Sequence, residues 1–266
     1  MTAGTALQLD VTSVTSMHGR VAVVTGGATG IGLATSRLLA SAGATVVVAG
    51  LATDDPAAAA AQISSQTGSE ALGVPCDVTA PGDLERLIAT VRSRYGRLDT
   101  VVCNAGLAAD ETHSAVSPDG PLDQMFNVHV RSVIRLANQA IPVMVNSGGG
   151  SFVVISSIAG LRGNRTIGLY GVTKAANAQI ARNLAVQWGH RDIRANAVSP
   201  GVIATEFAAT ITRSPTLAQK RLRATPLQRF GEPAHVASTV LWLCSPGGGF
   251  VSGQNIVVDG GTLIGD

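Results

Sequence analysis

Only two tyrosines occur in the chain, and one of them, Tyr170, stands four residues before Lys174. The stretch 166–188 has helical spacing, so the two side chains leave one face of a helix about one turn apart. A phenol ordinarily ionises near ~10 and is a poor base at neutral pH. Beside an ammonium, in a partly dehydrated site, it can pass a proton to or from a bound molecule. Taken alone, a Tyr and a Lys on one helix are usually a core-edge aromatic and a solvated charge. Tyr95 lies in Ser93-Arg94-Tyr95-Gly96-Arg97, a basic helix end with no accompanying motif.

A second group of residues suits a phosphate. The apolar run Val21–Thr25 passes directly into Gly26-Gly27-Ala28-Thr29-Gly30-Ile31-Gly32 and then into a helical pattern over 33–42. Small residues let the backbone turn sharply and approach a pyrophosphate, while a new helix offers unpaired N–H groups and the positive end of its dipole. A tight turn needing glycine at positive φ would explain a lone cluster as well. His113, with Asp110 and Glu111, is the grouping closest to a metal site. It lacks a second ligand pair at a recognisable spacing and reads as a solvated loop, so no metal is expected.

These groups need a scaffold to bring them together. Short β-branched runs at 21–25, 45–49, 71–75, 100–103, 151–155, 194–198 and 255–258 alternate with segments of helical length. Near-continuous apolar character marks strands covered on both faces. The pattern predicts an α/β fold: a single Rossmann-like, doubly wound domain with a seven-stranded parallel sheet and helices on both faces. The alanine tract within 57–61 predicts a surface helix after the second strand. Residues 107–121 and 203–225 are the least regular, and both follow carboxyl ends of strands, where open α/β sheets bind ligands. The second is long, bounded by Pro200-Gly201 and Pro226, and predicts a substrate lid. The domain is expected to span 18–266, preceded by a flexible N-terminal arm, 1–17, that is polar and rich in Ser and Thr.

The order of these groups resembles the short-chain dehydrogenase/reductase (SDR) family in its classical form. Gly26, Gly30 and Gly32 form T-G-x-x-x-G-x-G in place of the common G-x-G-x-x-G. The resemblance continues through Asp77-Val78, Asn104-Ala105-Gly106, Ser157, Tyr170-x-x-x-Lys174, Ser199-Pro200-Gly201, Gly253-Gln254 and Val258-Asp259-Gly260-Gly261. It implies an NAD(P)-dependent oxidoreductase that moves hydride between nicotinamide C4 and a secondary alcohol or ketone. By that resemblance, Gly26, Ala28, Thr29, Gly30 and Ile31 carry the pyrophosphate, Gly50 and Leu51 meet the adenosine ribose, and Asp77 and Val78 flank the adenine. Asn104, Ala105 and Gly106 support the site; Pro200 and Gly201, with Ile203 and Thr205 at the carboxamide end, complete the cofactor set. Tyr170 would exchange a proton with the substrate oxygen, Lys174 would also hold the nicotinamide ribose, and Ser157 would hydrogen-bond that oxygen. Asn127, in Phe126-Asn127-Val128, matches the family's asparagine that organises a water relay behind the lysine. Ser156 is expected to point elsewhere, because successive residues leaving a strand face opposite ways. A homotetramer is implied too.

The tip of the second strand selects the coenzyme: an acidic residue bonds ribose hydroxyls and a basic one meets a 2′-phosphate. Here it reads Ala49-Gly50-Leu51-Ala52-Thr53, with neither charge. Thr29 stands where NADP-preferring relatives often carry a basic residue, and Arg37 is expected to point away, so NAD is preferred over NADP. Thr53 and backbone amides leave the phosphate form open.

Bulk properties exclude several other classes. The 19 basic and 17 acidic residues nearly cancel and no Lys/Arg run occurs, so neither nucleic acid nor an acidic membrane is an expected partner. Mean hydropathy is +0.30, yet no uncharged apolar stretch approaches the ~20 residues that span a bilayer. Cys76, Cys103 and Cys244 are odd in number and lie in or beside apolar stretches, as reduced core thiols do, which favours the cytoplasm. The expected partner is a small carbonyl or alcohol substrate, with Leu161, Ile167 and Leu169 suggesting one of medium size and partly apolar. A 3-oxoacyl-(acyl-carrier-protein or CoA) reductase would use the same catalytic residues, with Arg213, Lys220, Arg221 and Arg223 as its docking patch. A solvated helix face explains those four as well. Related enoyl reductases space their Tyr and Lys more widely. A non-catalytic dinucleotide sensor or scaffold would be marked by a broken Tyr/Lys pair, and the pair is intact.

Overall fold

The computed structural model describes residues 10–108 and 119–265. Seven strands, β1 (Val21–Thr25), β2 (Thr45–Gly50), β3 (Ala71–Pro75), β4 (Thr100–Cys103), β5 (Gly150–Ile155), β6 (Ile193–Pro200) and β7 (Asn255–Val258), form one parallel sheet. Their spatial order is β3-β2-β1-β4-β5-β6-β7. The predicted runs are all strands, and β2, β5 and β6 are one to three residues longer than the pattern marked. The winding direction reverses between β1 and β4, which opens a crevice above their carboxyl ends.

The apolar runs form strands because both faces of the sheet are covered. All five residues of β1 are buried. Val21 and Val23 pack with Leu87, Leu136 and Phe152 on one face, whereas Ala22 and Val24 pack with Leu39 and Val240 on the other. Each such valine contributes about 1.5–3 kcal/mol on leaving water. The first face is covered by α4 (Pro81–Tyr95), α6 (Ser132–Asn146) and α7 (Gly168–Trp188), and the second by α2 (Gly30–Ser41), α3 (Pro56–Thr67) and α10 (Pro233–Cys244). The alanine tract is indeed part of a helix: Asp55 caps α3 by accepting the Ala58 amide at 3.1 Å, and Pro56 opens its first turn. α5 (Asp119–Phe126) runs into α6 through a π-helical turn at Asn127–Arg131.

Two expectations change. Residues 10–17, assigned to a loose arm, are folded: Asp10 caps the short helix α1 (Val11–Thr15), and Met17 is 1% exposed, with its amide bonded to the Ala42 carbonyl at 2.8 Å. Val11, Val14 and Met17 stand three apart in an otherwise polar stretch, too short a run to carry a periodic signal. The segment 203–225 is more regular than its sequence, carrying a 3₁₀ turn, α8 (Ala209–Thr212) and α9 (Pro215–Arg223). Residues 1–9 and the Asp110, Glu111 and His113 cluster lie outside the described residues. Among the described residues no helix is long and apolar enough to cross a membrane.

Candidate active site

A cleft of about 760 Å³ opens at the carboxyl edge of the sheet, over the point where the winding reverses. Its floor is the glycine turn. Gly26 has φ of +59°, and a Cβ there would meet Asn104 Nδ2 at 2.9 Å; one on Gly32 would run into the Gly26 carbonyl. The turn is therefore possible only with glycine at both positions. Asn104 Nδ2 donates to the carbonyls of Thr25 and Gly26 at 3.1 and 3.0 Å. Thr25 Oγ1 accepts the amides of Asn104 and Ala105 at 3.1 and 3.2 Å, tying the tip of β4 to the turn. Thr29 is the cap residue of α2, yet its side chain makes no capping bond. The first amides of α2 thus lack a side-chain partner, as an anion-binding helix start requires. These features fit a dinucleotide's pyrophosphate.

Tyr170 and Lys174 emerge together from the first two turns of α7, 8% and 4% exposed. The Lys174 ammonium lies 5.5 Å from the Tyr170 ring centre and donates to the Ile155 carbonyl at 3.0 Å. Ser157 follows β5, lines the cleft with Tyr170 and accepts the Ala159 amide at 3.1 Å. Ser156 faces away, its hydroxyl donating to the Lys174 carbonyl at 2.6 Å. Burial pushes the Tyr170 phenol up to about 12, with the Ser157 hydroxyl pulling the other way, and burial lowers Lys174 to about 8. In so dry a setting the cost of a phenolate outweighs an ammonium 5.5 Å from the ring.

The remaining expected residues gather in the same cleft, with one exception. Gly26, Thr29, Gly30, Ile31, Gly50, Leu51, Asp77, Val78, Asn104, Ala105, Gly106, Asn127, Pro200, Gly201, Ile203 and Thr205 all line it. Ala28 does not: it is 7% exposed and packs under β2, where its methyl lies 3.8 Å from the Cβ position of Gly50. A motif position does not say which residue of a tight turn faces inward. Asn127 opens the π-helical turn, and its side-chain oxygen accepts from Arg131 at 2.7 Å while the Lys174 ammonium holds the Ile155 carbonyl. Of the three apolar residues linked to the substrate, Ile167 lines the cleft, Leu169 belongs to the core and Leu161 is exposed. Arg37 does not line the cleft.

Several residues went unseen in the sequence. Asp54, on a 3₁₀ turn at Ala52–Asp54, reaches back over the tip of β2, with its Oδ2 3.9 Å from the Cβ position of Gly50. His129 is 1% exposed, and its ring meets Tyr170 edge-on at 5.5 Å. The Leu107 amide donates to its Nε2 at 2.9 Å, leaving the ring proton on Nδ1 for Thr173 Oγ1 at 3.0 Å. Thr173 in turn donates to the Tyr170 carbonyl at 2.8 Å. Tyr95, by contrast, bonds Glu70 at 3.0 Å on the outer surface.

A family model described as enoyl-(acyl carrier protein) reductase matches residues 26–262. The chain belongs to the short-chain dehydrogenase/reductase family. This SDR chain is 33% identical over 245 residues to the 7alpha-hydroxysteroid dehydrogenase of Escherichia coli K12, covering 92% of this chain and 94% of that one. A tropinone reductase homolog of Arabidopsis thaliana is 35% identical over 252 residues, 94% of this chain and 81% of the relative. Among solved structures, a 7 alpha-hydroxysteroid dehydrogenase with NADH and 7-oxo glycochenodeoxycholic acid superposes with a TM-score of 0.90 at 32% identity, covering 95% and 98% of the two chains. L-sorbose reductase of Gluconobacter frateurii, with NADPH and L-sorbose, gives 0.88 at 30% identity, covering 94% and 99%. The SDR protein is thus an oxidoreductase of the alcohol/ketone type that uses a nicotinamide cofactor and a small-molecule substrate.

Proposed function

We propose that Tyr170 is the general acid and base of this SDR enzyme, acting on a secondary alcohol or ketone. The observation that carries this reading is a buried phenol flanked by the Lys174 ammonium and lining, with Ser157, the cleft that the glycine turn floors. A bound nicotinamide dinucleotide supplies or accepts the hydride at C4. Ser157 holds the substrate oxygen against Tyr170, and the phenol, protonated at neutral pH, delivers its proton as that oxygen gains charge. Lys174 stabilises the charge left on the phenol and holds the nicotinamide ribose. Asn127 and its π-helical turn support a water relay that returns the proton. The first amides of α2, with Gly26, Gly30 and Ile31, receive the pyrophosphate. The segment 203–225 acts as the substrate lid of a single domain.

Asp54 supports a preference for NAD. Its carboxylate lies at the tip of β2 with no hydrogen-bond or ion-pair partner among the described residues, where it can accept ribose hydroxyls and repel a 2′-phosphate. The three cysteines are free, which supports a reducing compartment such as the cytoplasm. Exposed apolar residues on two surfaces, Ile134, Val172 and Val186 on α6 and α7, and Phe250, Val257 and Ile264 around β7, support a homotetramer. Light scattering on a sizing column measures its mass.

The deciding experiment is a fluorescence titration with NADH and NADPH in parallel, followed by a panel of ketones and alcohols. Tighter binding of NADH, with reduction of at least one ketone, is the expected result. Failure of both coenzymes to bind would remove the glycine turn and the catalytic assignment together.

A further inference from the structure

Unpaired charge is divided along the cleft by sign. Asp54 and Asp77 line the adenosine end. Arg162, in the segment between Ser157 and α7, and Arg221, on α9, line the cleft, as do the apolar Ile167, just before α7, and Phe207 and Ile211, in the same segment as α9. Neither guanidinium has an ion pair or hydrogen bond among the described residues. Arg213 on the same lid is answered by Glu206, and the half-buried Arg194 by the carbonyls of Leu243 and Gly248. Burial first, and the charge of Arg162 after it, hold Arg221 below the usual arginine value. Two like charges beside a half-dehydrated cavity repel each other and gain nothing for the fold. An anion between them would relieve that repulsion through charge-assisted, bidentate bonds.

We propose that the substrate is a small organic acid whose carbonyl or secondary hydroxyl sits at Tyr170, whose apolar body lies along Ile167, Phe207 and Ile211, and whose carboxylate is received by Arg162 and Arg221. The assignment rests on the hydride-transfer reading above and adds the charge and layout of the substrate to it. The four basic residues of the lid do not form one docking patch: Arg213 is paired, Arg221 faces the cleft, and Lys220 and Arg223 are exposed.

The test compares methyl ketones bearing a terminal carboxylate, over a range of chain lengths, with their methyl esters, using NADH. At the best length the acid is expected to exceed its ester in kcat/KM by roughly ten- to a hundredfold. That ratio falls to about one in Arg162→Gln/Arg221→Gln and is kept in Arg223→Gln. Equal use of acid and ester by the unmodified enzyme, or a ratio that survives in the double variant, overturns the proposal. A 3-oxoacyl pantetheine thioester preferred over both overturns it in favour of a carrier-linked substrate. If no ketone is turned over, the hydride-transfer reading fails, and the same acid–ester pairs are compared by thermal shift on protein saturated with NADH. Stabilisation by the acid alone, lost in the double variant, supports the anion site; equal or absent stabilisation overturns it.

Discussion

The two ends of the parallel sheet treat buried charge in opposite ways. At the amino end Asp99 is 2% exposed, and its carboxylate receives the Val21 amide at 2.8 Å, the Arg97 fork at 2.6 and 2.9 Å and Arg20 at 3.1 Å. At the carboxyl end Lys174 is 4% exposed, and among the described residues its ammonium has one carbonyl as partner and no carboxylate within ion-pair distance. Asp54, Arg162 and Arg221 around it have no partners among the described residues. Burial disfavours a charge at either end, so the difference lies in what answers it. The amino end completes its hydrogen bonds within the chain and serves the fold. The carboxyl end leaves groups to be completed by molecules from solution.

The comparison is tested hardest at Tyr170. Tyr170→Phe keeps the ring against His129 and Lys174 but removes the transferable proton. Turnover is expected to fall about 10²–10⁴-fold, while NADH affinity and Tm hold. Turnover close to that of the unmodified enzyme would take the phenol out of the chemistry. Lys174 gives the next largest effect. Because burial holds its ammonium near 8, the charge is lost as pH rises through that value, whereas Tyr170, near 12, keeps its proton. Ketone reduction should therefore decline above about pH 8, approaching tenfold per pH unit. In Lys174→Arg, whose charge does not titrate, that decline should be absent from the pH profile. A decline that persists belongs to another group.

The same division explains what could be read from the chain. The strands were legible because a sheet covered on both faces demands unbroken apolar runs, and the turn at Gly26 and Gly32 was legible because close backbone approach admits no other residue. Tyr170 and Lys174, four apart on one helix, are equally local. Asp54 was hidden because its carboxylate reaches the tip of β2 only through a 3₁₀ turn, which the sequence 52–54 does not advertise. His129 and Thr173 join segments 44 residues apart, and neither carries a pattern of its own. Arg221 read as part of a solvated helix face because nothing in the sequence of α9 says which of its basic residues lines the cleft. Contacts made by backbone geometry are written locally; contacts made by side chains across loops are not.

The amino end offers a smaller effect of a different kind. Burial raises the Asp99 carboxyl, but Arg97, the Val21 amide and Arg20 together hold it below the usual 3.8. A depressed folded value means that its stabilisation is fully present above the unfolded value and is lost as pH falls through the folded one. Asp99→Asn should therefore cost about 1–3 kcal/mol at neutral pH, a fall of roughly 2–10 °C in Tm, and the gap should close in acid. Cofactor preference and the acid-to-ester ratio should not move. A loss of activity out of proportion to stability would show that the two ends are coupled and break the division.

Asp54 gives the smallest effect and the sharpest discrimination. If its carboxylate waits for ribose hydroxyls, Asp54→Ser should leave the fold intact and shift the NADPH-to-NADH ratio of kcat/KM by about tenfold toward NADPH, the scale of one exposed charge. Adding Leu51→Arg, at a position 48% exposed beside the cleft, supplies a phosphate partner and should carry the ratio further. A changed ratio at unchanged Tm places Asp54 with the groups completed from solution. A lowered Tm with an unchanged ratio would place it with Asp99, as a charge that serves the fold from the wrong end of the sheet.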